Sequence, residues 1–117
     1  MTSSPEAPYS TMPEPPIEVG RLCVQPDQVR VWWDGAPVQL AKGPCRLLGA
    51  LARHPDWLLT RDQLMDAMDL HSFDRSVDSH VKTARIALRA VDPDAGGVIE
   101  TVYGMGYRLN PAACSAQ

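Results

Sequence analysis

The chain has 117 residues, 44% of them apolar and 21% charged, a composition typical of a soluble globular domain that argues against a disordered or fibrous protein. This length predicts one domain and argues against a two-domain enzyme. With 11 basic and 14 acidic residues, the net charge of −3 means that any nucleic acid or anionic lipid has to be bound by a local basic patch.

The longest apolar runs are far shorter than the roughly 18 residues of a membrane-spanning helix, and no signal-peptide pattern opens the chain. We therefore expect a cytoplasmic protein with no membrane partner. Five of the 11 prolines lie in the first 16 residues, where few side chains are apolar, and such a segment cannot offset the entropy cost of ordering. Residues 1–16 are predicted to be a disordered tail or linker, residues 17–111 the domain, and residues 112–117 a second disordered tail.

Short extended runs open the predicted domain. Leu22 and Val24 share one face of a run over 19–24, and Val31 and Trp33 share one face of the next run. Period-two alternation of this kind predicts half-buried strands. A following Asp-Gly pair favours a tight hairpin turn, because both residue types tolerate positive φ. Three or more short antiparallel strands are therefore expected.

Three helices are predicted next. The first ends at Pro55, because proline cannot continue a helix. Thr60 and Gln63 have the spacing of a capping box and predict the start of a short second helix. The third helix covers 75–91, with Asp74 as its N-cap and apolar residues at every third or fourth position.

Two extended runs, 98–102 and 107–109, close the domain. The glycines Gly104 and Gly106 between them allow a tight reversal of the chain. The predicted order is therefore an antiparallel sheet, three helices and a C-terminal hairpin. This is the α+β architecture of a winged helix-turn-helix with an N-terminal antiparallel sheet.

The third predicted helix carries an unusual charge for this chain. Between residues 75 and 91 there are four basic residues and one acidic residue, a charge of +3, whereas the other 100 residues carry −6. Its apolar and basic positions fall on opposite sides. A basic face alone is more typical of a solvated surface than of a nucleic-acid site. A long basic helix followed by a hairpin, however, fits a major groove about 12 Å wide.

Two segments resemble the OmpR/PhoB family of response-regulator DNA-binding domains: DRSVDSHVK at 74–82 and ETVYGMGYRL at 100–109. The second segment, the wing, is most similar to the envelope-stress regulator subgroup. The first two predicted helices are also similar, so the resemblance covers roughly 19–110. It implies sequence-specific binding of double-stranded DNA by the effector domain of a two-component transcriptional regulator. The recognition helix 75–91 would lie in the major groove, and the wing 98–109 at the minor groove.

The resemblance also implies which residues would contact DNA. They are Arg61, Arg75, Ser79, His80, Lys82, Thr83, Arg85, Ile86, Arg89, Thr101 and Tyr103. Lys82 and Thr83 would face base edges. The phosphate contacts would come from Arg61, Arg75, His80, Arg85 and Arg89. Thr101 and Tyr103 would lie over the minor groove.

Several positions depart from the family pattern. Thr83 and Tyr103 stand where many members have arginine, so a guanine contact and a minor-groove cation are both absent. Ile86 replaces a basic residue and could contact a thymine methyl, contact a protein, or be an ordinary surface residue. Ala84 and Cys45 replace larger core residues. The family further implies tandem binding of two copies on direct repeats, with RNA polymerase as another partner.

The sequence favours neither an enzyme nor a metal or cofactor site. Among the histidines, His54, His71 and His80 lack the spacing of metal ligands. No nucleophile is paired with a base, and the glycines at 104 and 106 precede no helix, as a phosphate-binding loop would. The alternative to DNA binding is a winged-helix module that binds a protein partner, with little or no DNA binding. The acidic net charge and the residues Thr83, Ile86 and Tyr103 are consistent with it.

Overall fold

The computed structural model describes residues 15–68 and 77–115. Within these ranges it confirms the predicted order of sheet, helices and hairpin. The strands are β1 Ile17–Val19, β2 Leu22–Gln25, β3 Arg30–Trp33, β4 Ala36–Val38, β5 Leu59–Thr60, β6 Ile99–Val102 and β7 Gly106–Leu109. The helices are α1 Lys42–Arg53, α2 Arg61–Met68, α3 Val77–Val91 and the short α4 Pro111–Cys114.

The first sheet is an antiparallel meander with the order β1-β2-β3-β4. Leu22 lies opposite Trp33 and Val24 opposite Val31, and all four side chains are buried. Strand alternation is therefore confirmed. The predicted continuous run over 19–24 is instead two strands, because Gly20 adopts a φ of +57° and turns the chain. This conformation suits glycine, which lacks a Cβ.

The second helix begins with the predicted capping box. The backbone N–H of Gln63 donates to Thr60 Oγ1 at 3.1 Å, and the Thr60 N–H donates to Gln63 Oε1 at 2.9 Å. These two bonds satisfy backbone donors that would otherwise lack partners at a helix start. They fix the direction in which α2 leaves the preceding strand.

The wing belongs to a second sheet of three strands, in the order β5-β7-β6. Thr101 pairs with Tyr107 across the hairpin, and Gly104 takes a φ of +76° in its turn. Leu59 also pairs with Tyr107, from the other side of β7. The two-residue strand β5 was not predicted, because it is too short to show alternation. It attaches the wing to the start of α2.

Helix α3 packs its apolar stripe into the core. Val77, Val81, Ala84 and Leu88 are buried, whereas Val91 at the end of the stripe is exposed. The end of the helix is tied to the first sheet, because Trp33 Nε1 donates to Asp92 Oδ2 at 2.9 Å. Hence the C-terminal end of α3 is bonded to the first sheet, while the face opposite the core stays exposed. In the described ranges no helix has the length and hydropathy to cross a membrane.

The predicted disordered tail from residue 112 is wrong for residues 112–114. These form the helical turn α4, in which Asn110 Oδ1 caps the Ala112 N–H at 3.0 Å. Cys114 is fully buried, and its carbonyl accepts the Arg21 N–H at 2.7 Å. Burial raises the pKa of the Cys114 thiol to about 11, so the thiol stays protonated at neutral pH. The turn therefore closes the core beside the first sheet.

Candidate nucleic-acid interface

The exposed face of α3 carries the residues predicted to face base edges. Lys82, Thr83, Ile86 and Arg89 are exposed, and Ser79 is half-buried. Ile86 has 56% of its surface exposed. The predicted N-cap Asp74 and phosphate contact Arg75 lie outside the described residues, as does His71. In the described part of α3, the face opposite the core is therefore polar, with one large apolar side chain near its middle.

His80 does not lie on this face, contrary to the prediction of a phosphate contact. Its surface is 9% exposed, and its ring packs against α1 at Gly43. A Cβ at Gly43 would lie 2.6 Å from the ring atom Cε1, so the glycine makes room for the histidine. Since position 80 follows the apolar Val77 by three residues, the helix turns it inward. His80 is therefore a packing residue in this fold.

Arg85 is bound to the wing, which also differs from its predicted phosphate role. Its Nη2 donates to the Ile99 carbonyl at 2.7 Å and to Thr101 Oγ1 at 2.8 Å, and its Nε donates to the same carbonyl at 3.2 Å. Thr101, predicted to lie at the minor groove, thus accepts a bond from a residue of α3. We infer that Arg85 fixes the angle between α3 and β6.

Replacement of Arg85 by lysine separates the contribution of its charge from that of its hydrogen bonds to the wing. Lysine keeps the charge but lacks the planar fork that reaches both acceptors. We expect Arg85→Lys and Arg85→Ala to destabilise the domain by a similar amount, about 2 kcal/mol, since bonds from a charged donor are lost in both. Amide hydrogen exchange of β6 measures the loosened wing. If Arg85→Lys keeps wild-type protection, the charge and not the fork is what matters.

A second polar cluster joins α2, α3 and β7; we call Arg61, Asp78 and Tyr107 the Asp78 cluster. Arg61 Nε donates to Asp78 Oδ1 at 3.0 Å, and the Tyr107 hydroxyl donates to the same oxygen. The Arg61 guanidinium carbon lies 5.5 Å from the centre of the Tyr107 ring. Sequence reasoning named Arg61 alone, because 17 and 29 residues separate Asp78 from its two partners.

The charges in this cluster are stable around neutral pH. The Tyr107 hydroxyl, and after it Arg61, hold the pKa of the Asp78 carboxyl below its usual range, against the opposing effect of desolvation. Burial, and then the bond to Asp78, raise the pKa of Tyr107. The carboxylate is therefore ionised and the phenol protonated over the range in which most proteins function.

The remaining candidates lie at the edges of the interface. Tyr103, at the tip of the wing, is 90% exposed, and the neighbouring Met105 is 55% exposed. The Arg89 side chain runs along Gly96, where an added Cβ would lie 2.5 Å from Nε. Lys82 has no ion-pair partner among residues 15–68 and 77–115. In the same part of the chain, no group of three or more His, Cys, Asp or Glu residues could hold a metal ion.

Comparison with known sequences gives one family. Residues 35–109 match the model described as "Transcriptional regulatory protein, C terminal". The transcriptional regulatory protein CreB of Escherichia coli is 36% identical over 104 residues, which are 86% of this chain and 44% of CreB. The phosphate regulon regulatory protein PhoB of Pseudomonas aeruginosa is 36% identical over 100 residues, 83% of this chain and 42% of PhoB. The chain thus spans less than half the length of these relatives.

Comparison with solved structures agrees in fold. The DNA-binding domain of RstA from Klebsiella pneumoniae, solved in complex with the RstA box, has a TM-score of 0.67 and 28% identity, covering 84% of this chain and 99% of that one. The DNA-binding domain of CpxR from E. coli also has a TM-score of 0.67 and 28% identity, covering 89% of this chain and 100% of that one.

Proposed function

The chain belongs to the family of transcriptional regulatory protein C-terminal domains, of the OmpR/PhoB type, and we propose from this that it binds double-stranded DNA sequence-specifically as the effector domain of a two-component regulator. The observation that carries the proposal is the open face of α3, which presents Lys82 and Thr83 beside an exposed wing. The complex of the RstA domain with its DNA box supports it, since that domain has the same fold.

In this proposal α3 lies in the major groove. Its 15 residues are about 22 Å long, and Lys82 and Thr83 read base edges from the middle of the helix. Arg61 and Arg75 contact phosphates, which set the register of the protein on DNA without reading sequence. We do not include His80, because it is buried, or Arg85, because it is bonded to the wing.

The wing lies over the adjacent minor groove and has mainly a positioning role. Tyr103 is 90% exposed and can reach a sugar or phosphate. It carries no positive charge, and a narrow A-tract minor groove attracts cations. We therefore assign the sequence preference to α3 rather than to the wing.

The proposal also names the partners of the domain and assigns it no catalytic reaction. Two copies bind in tandem on direct repeats, and RNA polymerase is the protein partner in transcription. Adjacent recognition helices on one face of the duplex require half-sites about 10–10.5 bp apart. The domain acts by binding alone, with no catalysis, metal or cofactor.

Selection from a pool of random duplexes tests this function. We expect the recovered DNA to contain two copies of one short motif in the same orientation, with centres about 10–10.5 bp apart. Recovery of inverted copies would contradict the tandem arrangement but not DNA binding. Failure to retain any duplex at low salt would contradict DNA binding and favour a protein-interaction module.

A further inference from the structure

Asp78 is an acidic residue on the face that meets DNA in the proposed function. Its side chain is 53% exposed, and it lies in the first turn of α3. A carboxylate near a phosphate backbone repels it, so its presence there lowers affinity unless it contributes something else. The contribution has to come from what Asp78 contacts.

The contacts of Asp78 hold one side of the Arg61 guanidinium. Nε donates to Asp78 Oδ1 at 3.0 Å, and the guanidinium lies over the Tyr107 ring. The Arg61 side chain is still 47% exposed. The guanidinium also interacts with the Tyr107 hydroxyl, whereas its bond to Asp78 uses Nε and not the two Nη atoms. Those atoms carry four N–H donors, which suit the paired oxygens of a phosphate.

The three residues come from elements that are already fixed to one another. Tyr107 pairs with Leu59, which precedes α2 by two residues, and the capping box at Thr60 sets the start of α2. The position of Arg61 relative to α3 is therefore set before any ligand arrives. A long side chain held in its bound geometry loses less conformational freedom on binding.

We propose that Asp78 is a positioning residue, which holds Arg61 against Tyr107 so that its Nη atoms face a DNA phosphate. This inference rests on the proposed DNA-binding function. Its expected result is the opposite of the one that charge repulsion alone would give. Removing a negative charge from the face would strengthen binding if Asp78 acted only by repulsion, and weakens binding if Asp78 positions Arg61.

The experiment measures the affinity of the whole chain for a mixed-sequence duplex by fluorescence anisotropy across a salt series. We expect Asp78→Ala to weaken binding about tenfold, as loss of one charge-assisted contact does. The slope of log affinity against log salt should become shallower by about 0.9, the value for one phosphate. Arg61→Ala should do the same, and Arg61→Ala with Asp78→Ala should be no weaker than either alone.

A matched control is Asp62→Ala, which removes an exposed carboxylate one residue from Arg61. Its affinity should be unchanged or slightly higher. Asp78→Glu keeps the charge but moves the carboxylate by one methylene, and we expect it to bind less tightly than wild type. That variant also decides the question if Asp78→Ala melts below the assay temperature.

Two results would overturn the inference. If Asp78→Ala binds as tightly as wild type or tighter, or if Asp78→Glu keeps full affinity with an unchanged salt slope, then Asp78 does not position Arg61. A wild-type chain that binds no duplex at low salt would instead overturn the proposed function, and the inference with it. The two failures are thus distinguished by the wild-type measurement.

Discussion

Replacement of Gly106 by alanine is expected to destabilise the domain by about 3 kcal/mol, the upper part of the range for overpacking a buried site. Gly106 is the first residue of β7 and lies opposite Thr60 of β5. An added Cβ would overlap the Leu59 carbonyl oxygen and lie 2.9 Å from Thr60 Cα. Both are backbone atoms in a paired strand, so neither can move without breaking the pairing.

Thermal denaturation measures this effect. For a domain of this size, a loss of about 3 kcal/mol lowers Tm by more than about 10 °C. Gly97→Ala is the matched control, because a Cβ there meets no atom within 4 Å and the residue has no positive φ. It should change stability by at most about 1 kcal/mol. Equal melting temperatures for the two variants would mean that β5 and β7 can separate at no cost.

The elements that sequence predicted well are those set by neighbouring residues. The capping box of Thr60 and Gln63 needs only a spacing of three, and the alternation of Leu22 and Val24 needs only a spacing of two. The turn at Gly104 depends on one residue that tolerates positive φ. Each of these signals lies within one turn or strand, so the sequence contains all of it.

The features that sequence missed depend on contacts between distant segments. Strand β5 exists because β7 lies beside it, and its two residues have no pattern of their own. The family resemblance implies a phosphate contact for Arg85, and neither it nor helix periodicity gives information on the wing carbonyl that Arg85 meets instead. His80 lies at the boundary of the apolar stripe, and whether its ring is buried depends on the space that Gly43 leaves.

One missed element did have a local signal. Asparagine is a preferred N-cap, and proline is favoured in the first helical turn. Asn110 and Pro111 occupy these positions ahead of α4. Cys114 is buried, so the turn is part of the core. A helix of four residues is too short to form by propensity alone, and its packing against the core stabilises it.

DNA affinity is expected to fall steeply with salt, by about 40-fold between 50 and 200 mM, because each neutralised phosphate releases counterions. The number of cations that contact DNA sets this figure. With Arg61, Arg75 and Lys82 as phosphate or groove contacts, the slope of log affinity against log salt is about −2.7. Five contacts, with Arg85 and Arg89 added, would give about −4.5 and a loss of about 500-fold.

The structure favours the smaller number, since Arg85 is bonded to the Ile99 carbonyl and Arg89 runs along Gly96. Titration of one duplex at four or more salt concentrations measures the slope. Lys82→Ala should make it shallower by about 0.9, whereas Arg30→Ala, which removes an exposed charge on β3, should leave it unchanged. A slope near −4.5 would mean that Arg85 leaves the wing on binding, in which case the angle between α3 and β6 is set by DNA and not by the fold.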